Sequence, residues 1–208
     1  IGRTGSGKSS FVQALFHLYP ATGVISIKGF TPDLGTAESD TLPLKEFRRL
    51  MAYIPQEPTL FRASLRQNLS DDLNVSDEEI WQTLTRLGLE KKLSVLGHCV
   101  EEILDHPVLE RGANFSLGER QLICMGRAIL QKCPIIIMDE ATSSVDPESE
   151  RLLVAAVADE LKDKTRVVIA HRLSTIQNAD RVLWLEQGKI KMIGKPTEVL
   201  ARFAKDGP

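Results

Sequence analysis

The stretch Gly2-Arg3-Thr4-Gly5-Ser6-Gly7-Lys8-Ser9 decides how the rest of this 208-residue chain is read. It fits the pattern G-x-x-x-x-G-K-[ST], with Gly2, Gly7, Lys8 and Ser9 at the fixed positions. Glycines let the backbone bend until consecutive N–H groups face inward, a concavity that suits phosphate oxygens. The apolar run from Phe11 to Leu18 predicts a helix, whose N-terminus adds further N–H donors and the positive end of a dipole. In that arrangement Lys8 reaches the β- and γ-phosphates of a nucleotide, and the Ser9 hydroxyl meets Mg²⁺. A Gly/Ser turn before an ordinary helix fits the same pattern, so the downstream chain has to decide.

Bulk properties exclude several classes. With 26 basic and 28 acidic residues the net charge is −2, and the two signs are interspersed, which argues against a nucleic-acid footprint or a basic membrane-surface patch. The longest apolar runs, such as Ile135 to Met138, fall far short of the roughly 20 residues that cross a bilayer. Cys99, Cys124 and Cys133 are odd in number and have no C-x-x-C spacing, against both a disulfide framework and a zinc site, and in favour of a reducing compartment. Only Ile1 precedes the glycine loop and no Met begins the chain. Because such a loop normally follows a buried strand, the expectation is a fragment of a longer polypeptide.

Val24, Ile25 and Ile27 predict a short strand, residues 30–43 a loop, and Leu44 to Leu50 a short helix. Met51 to Ile54 predicts a strand stopped by Pro55, with Gln56 next. From Ser64 to Leu104 the pattern turns helical, with an S-x-x-E cap at Ser76 to Glu79 and Trp81, Leu84 and Leu87 as core of a separate lobe. Ser116 then caps a helix from Leu117 to Leu130, about 21 Å long at 1.5 Å per residue, which carries Ser116 and Gly118 away from the helix's far end.

At that far end, Ile135 to Met138 read as a parallel strand buried on both faces, ending in Asp139-Glu140. In an open α/β sheet the carboxyl ends of strands face the ligand crevice. Asp139 is therefore placed to hold Mg²⁺ directly or through water, and Glu140 to act as general base or to orient water. Asp146 and Pro147 start a helix through Leu161. Thr165 to Ala170 predicts another buried strand, which brings His171 to the same crevice, within reach of a γ-phosphate oxygen. Arg181 to Leu185 and Lys189 to Ile193 flank Gln187-Gly188 as a hairpin, and Pro196 to Phe203 predicts a terminal amphipathic helix.

GRTGSGKS, the Gln56 loop, FSLGERQ, IIIMDE, SSVD and His171, in this order, resemble the nucleotide-binding domain of an ABC transporter across essentially the whole chain. The wording GANFSLGERQL, DEATSSVDPESE and AHRLSTI is similar to the second such domain of the C subfamily, the multidrug-resistance-associated type. The resemblance implies an α/β P-loop NTPase with a mostly parallel, RecA-like sheet and an inserted helical subdomain. Residues 1–57 and 132–208 would form the catalytic core and 58–131 the helical part.

It further implies ATP and Mg²⁺ as ligands. Gly2, Arg3, Thr4, Gly5, Ser6, Gly7, Lys8, Ser9 and Ser10 would bind the ATP phosphates, and Ser9, Gln56 and Asp139 would hold Mg²⁺. Glu140 would be the catalytic carboxylate, His171 the switch histidine, and Lys8 a third catalytic group. Gln56 would couple the site to transmembrane domains docking on the helical lobe. Ser116, Leu117 and Gly118 would reach, in trans, the ATP of a second nucleotide-binding domain in a head-to-tail dimer, whose interface Asp146 would line. No nucleic-acid partner is implied, and the location implied is the cytoplasmic face of a membrane, within an integral membrane protein.

Two departures stand out. Where the family signature reads LSGGQ, Leu117 replaces the first glycine and Glu119 the glutamine, and a negative Glu119 near a nucleotide is expected to weaken the composite site. The segment that would carry the adenine-stacking aromatic residue in the family is not in this sequence. Two other readings stay open on these residues: an ATP-gated regulatory module of a channel or receptor, and a soluble ABC ATPase.

Overall fold

The computed structural model describes residues 1–19, 22–34, 41–70, 75–139, 147–170 and 173–206. In chain order the first elements are α1 (Lys8–Leu15), β1 (Thr31–Asp33), β2 (Thr41–Pro43), α2 (Leu44–Arg49) and β3 (Met51–Ile54). Next come α3 (Leu65–Leu69), α4 (Asp77–Arg86), α5 (Glu90–Leu93), α6 (Val100–Asp105) and α7 (Leu117–Leu130). The remainder is β4 (Ile135–Asp139), α8 (Pro147–Glu160), β5 (Thr165–Ile169), α9 (Leu173–Gln177), β6 (Val182–Glu186), β7 (Lys189–Gly194) and α10 (Pro196–Asp206). The chain divides into two compact units, residues 49–167 and residues 1–48 with 168–208.

In the unit of residues 49–167, β3 and β4 pair in parallel, from Met51 opposite Ile135 to Ile54 opposite Met138, within a sheet ordered β3-β4-β5. Ile136 and Ile137 are fully buried, as an uninterrupted β-branched run in a parallel strand requires. Beside the sheet lies a helical core built around α7, where Leu122, Ile123 and Met125 meet Leu65, Leu84, Leu87 and Leu104, all at most 1% exposed. Each such side chain contributes about 1.5–3 kcal/mol of burial, so this cluster dominates the unit's stability. Trp81 is only partly buried against it.

Local signals start these helices. Ser64 and Gln67 close a reciprocal capping box on α3. At α4 the Ser76 hydroxyl accepts from the Glu79 amide, while the Glu79 carboxylate pairs with Lys132 Nζ at 2.6 Å.

The other unit is organised around the antiparallel β6–β7 hairpin. Its turn residues Gln187 and Gly188 both have positive φ, 49° and 74°, the twist that matches a two-residue hairpin. Trp184 and Val182 pack with Val199 of α10, and Trp184 meets Phe203 edge to face with ring centroids 5.0 Å apart. Ile1 runs beside β6: its amino nitrogen donates to Leu183 O at 2.6 Å and its carbonyl accepts from Leu185 N at 2.9 Å, one step of a parallel ladder. The glycine loop therefore leaves from the sheet side of this hairpin.

Three expectations need correction. Val24 to Ile27 is not a strand; Ile27 makes only an isolated bridge to Phe30, because no neighbouring strand accepts the segment among the described residues. Within the predicted loop of 30–43, Thr31–Asp33 and Thr41–Pro43 pair as short parallel strands. β5 is exposed at Thr165, Arg166 and Val168, where it stands last in its sheet's strand order and, among the described residues, pairs with one strand instead of two.

Candidate functional site

The glycine loop is held open by its own backbone. Gly2, Gly5 and Gly7 have φ of 152°, 79° and 101°, a region closed to side chains. A Cβ on Gly2 would lie 2.4 Å from both Leu185 O and Ser6 Oγ, so only glycine lets the loop lie this tightly against β6. Ser6 N donates to Arg3 O at 3.0 Å and Ser6 O accepts from Gly188 N at 3.0 Å, which pins the loop to the hairpin turn. Lys8 Nζ bridges Gly2 O at 2.7 Å and Arg3 O at 3.0 Å, so the ammonium is placed directly over the loop.

The start of α1 is bare. Gly7 caps it in the left-handed conformation without a side-chain hydrogen bond, and no acid stands in the first turn. Its far end is the opposite: Arg48 donates to Phe16 O at 2.7 Å and His17 O at 2.9 Å, a cation where the dipole is negative. Ser6 Oγ, in a side chain 5% exposed, has no partner among the described residues. Uncapped N–H donors, a loop of positive-φ glycines packed against β6 and an orphaned hydroxyl together fit a phosphate group.

Asp139 ends β4, half-buried, and accepts a hydrogen bond from Tyr53 Oη at 3.2 Å. Tyr53 pairs with Ile137 in the ladder, so Asp139, two residues on, lies on the same face and within diagonal reach. Burial, then the Asp139 charge and this hydrogen bond, push the Tyr53 phenol up to about 12. Sequence reasoning missed Tyr53; the only signal was one aromatic polar tip in an otherwise apolar strand. Gln56 is exposed, two residues beyond β3.

No group of three or more His, Cys, Asp or Glu that could hold a metal occurs among the described residues. The hydroxyl of Ser9, the amide oxygen of Gln56 and the carboxylate of Asp139 are hard oxygen donors. Each is of the kind Mg²⁺ takes, usually from one or two protein carboxylates together with substrate phosphates.

Ser116 caps α7 as predicted, and Glu119, one of the two departures, closes the cap. Ser116 Oγ accepts from Glu119 N at 3.2 Å, Glu119 Oε2 accepts from Ser116 N at 2.8 Å, and Lys92 Nζ stands 3.7 Å from Glu119 Oε1. Glu119 is thus the acid of a capping box. Ser116 is exposed, Leu117 intermediate and Gly118 buried. Glu140, Asp146 and His171 lie outside the described residues.

A set of polar side chains on α7 was also missed. Gln121 Nε2 donates to Pro55 O at 3.1 Å, Arg127 Nε to Asn68 O at 2.7 Å, and Gln131 Nε2 to Met51 O at 2.9 Å. Asn68, 1% exposed, in turn clasps both the N–H and the carbonyl of Phe61 at 2.8 and 2.9 Å. Gln121 is also 1% exposed, and its Oε1 has no partner among the described residues, a cost of about 1–3 kcal/mol for a buried polar group. The buried cysteines carry no such chemistry: burial pushes the Cys124 and Cys133 thiols up, away from the reactive thiolate.

The model of the ABC transporter family matches residues 1–143. The chain belongs to that family. It is 41% identical over 201 residues, 96% of its length, to human ATP-binding cassette sub-family C member 2. It is 38% identical over 202 residues to a probable multidrug resistance-associated protein, lethal(2)03659, of Drosophila melanogaster, covering 97% of the chain. It spans 12% and 14% of the lengths of these two relatives. Among solved structures, a bacterial Atm1-family ABC exporter with ATP bound matches all of the chain and 36% of its own, with a TM-score of 0.80 and 26% identity. The α/β P-loop fold is thereby established, and the chain is the ATP-binding, ATPase-class domain of an ABC transporter of the C-subfamily type.

Proposed function

We propose that this domain hydrolyses ATP and that the energy drives export of a substrate through transmembrane domains of a longer protein. The observation that carries this is the bare start of α1 above a glycine loop in which Gly2 leaves no room for a Cβ. Gly2 to Ser10 hold the phosphates through backbone N–H groups, and Lys8, already above the loop, offsets charge that grows on the transferred phosphoryl. Ser9, Gln56 and Asp139 are the residues that would hold Mg²⁺, which would supply neutralisation of phosphate charge. Tyr53 fixes the Asp139 carboxylate by its hydrogen bond. Glu140 takes the proton from, or orients, the attacking water, and His171 bonds a γ-phosphate oxygen.

The reading extends to partners. Ser116, Leu117 and Gly118 serve the ATP of a second nucleotide-binding domain, head to tail, and Asp146 lines the interface. Residues 1–57 and 132–208 act as catalytic core and 58–131 as the helical subdomain on which transmembrane domains dock, at the cytoplasmic face. Similarity of GANFSLGERQL and DEATSSVDPESE to second domains of the C subfamily supports that position in the longer protein. The test is Glu140→Gln in the full-length protein. ATP binding is retained and phosphate release falls at least about a hundredfold, the lower end for losing a general base; near-normal release removes Glu140 from the mechanism.

A further inference from the structure

The side chains by which α7 grips β3 and the loop after it differ in what they hold. Gln131, at the helix's C-terminal cap, donates to Met51 O and Arg49 O at 2.9 and 3.2 Å, around the start of β3. Arg127 donates to Asn68 O in α3 at 2.7 Å and reaches Thr59 O, in the loop itself, at 3.5 Å. Gln121 alone takes Pro55 O, at 3.1 Å, the carbonyl directly before Gln56. A carbonyl oxygen and the next residue's N–H share one rigid plane, so whatever fixes Pro55 O fixes the plane from which Gln56 departs. The proline ring already fixes φ at Pro55. Its ψ is the one soft torsion left to aim that plane, and the Gln121 amide pins it.

Two further facts separate this bond from ordinary core packing. Gln121 is 1% exposed, so no solvent competes for its amide, and its Oε1 is left without a partner among the described residues. An apolar side chain of the same shape would fill the position without that loss. Gln121 also stands on the second turn of α7, about 7.5 Å along the axis from Ser116 at 1.5 Å per residue, so a displacement of the helix start reaches it through continuous helix.

The geometry points to Gln121 as a positioning residue that sets Gln56 and ties it to the Ser116–Gly118 end of α7. This rests on the reading, above, that Gln56 acts at the metal and nucleotide. Through this bond, engagement of the α7 start by the partner's ATP and placement of Gln56 at this domain's own ATP become one movement.

Full-length protein carrying Gln121→Met keeps shape and loses both the amide donor and the orphaned oxygen. Its thermal midpoint stays within about 2 °C, KM for Mg-ATP stays within about twofold, and kcat falls about tenfold or more, since small misplacements of a positioning group act on turnover. Hydrogen exchange of the Gln56, Glu57, Thr59 and Leu60 amides speeds up while α7 keeps its protection. The matched control Gln131→Met, which loses the same kind of bond to β3, leaves kcat unchanged. Combined with Gln56→Ala, Gln121→Met adds little, as expected for two members of one device.

A normal kcat in Gln121→Met, or additive losses in the double variant while Gln56→Ala alone is impaired, overturns the proposal and leaves the role of Gln56 standing. Normal turnover in Gln56→Ala overturns both. Should Gln121→Met not fold, Gln121→Asn, which withdraws the amide by one methylene, carries the same measurements.

Discussion

Two helices of this chain begin in opposite ways. α1 starts at a left-handed glycine with no side-chain cap and no acid in its first turn. α7 starts at Ser116 with a closed capping box and Glu119 at its third position. The N–H groups at the two helix starts thus face different fates: in α1 they stay available to an anion, while in α7 the box takes the Ser116 and Glu119 amides. A helix start that its own side chains have not capped is the one a nucleotide phosphate can use at no cost in lost caps. One that is capped must exchange bonds to take a phosphate, which makes it the more easily regulated of the two.

An acid moved to the start of α1 should close it to a phosphate. Ser10 holds in α1 the position that Glu119 holds in α7, the third helical residue. Ser10→Glu should cut ATP affinity about a hundredfold, since two unit charges roughly 6 Å apart at an effective dielectric of 20 repel by about 2.8 kcal/mol. Equilibrium ATP binding measures it, and unchanged affinity would show that α1's open start is not where the phosphates sit. A smaller effect follows from opening α7. Ser116→Ala should cost about 1 kcal/mol, the usual loss of a hydroxyl cap, seen as a midpoint about 2–4 °C lower in thermal unfolding.

Least of all, Glu119→Gln keeps the capping geometry, because glutamine serves at that position as well as glutamate. It should leave the midpoint within about 1 °C and raise the affinity of the partner's ATP by about two- to fivefold, the equivalent of 0.3–1 kcal/mol for removing one charge at a helix start. A fall in affinity would mean that Glu119 assists the nucleotide.

Much of this was legible in residue order. Ser116 as a cap and Leu117 to Leu130 as its helix follow from local hydrogen bonding and a 3.6-residue period, both of which act within a few residues. The buried run of β4 was legible for the same reason: Ile135 to Met138 has no polar face to offer water. β5 looks alike in composition, yet three of its five residues are exposed, because burial depends on a neighbouring strand and not on the strand itself. Within the candidate site, Lys8 and Asp139 were readable from type and spacing. Tyr53 and Gln121 were not, since their partners are 86 and 66 residues away and nothing local selects them.

A glycine-rich loop before a helix, a strand-end carboxylate, a capped helix and the family to which the chain belongs were all set by residue order, because each is a short-range pattern with its own chemistry. Folding of the whole chain was needed for Tyr53 to hold Asp139 and for Gln121 to grip the carbonyl before Gln56. Those bonds join surfaces that meet only after the hydrophobic core has brought distant segments together. A side chain's type fixes what it can donate, and packing fixes what it finds.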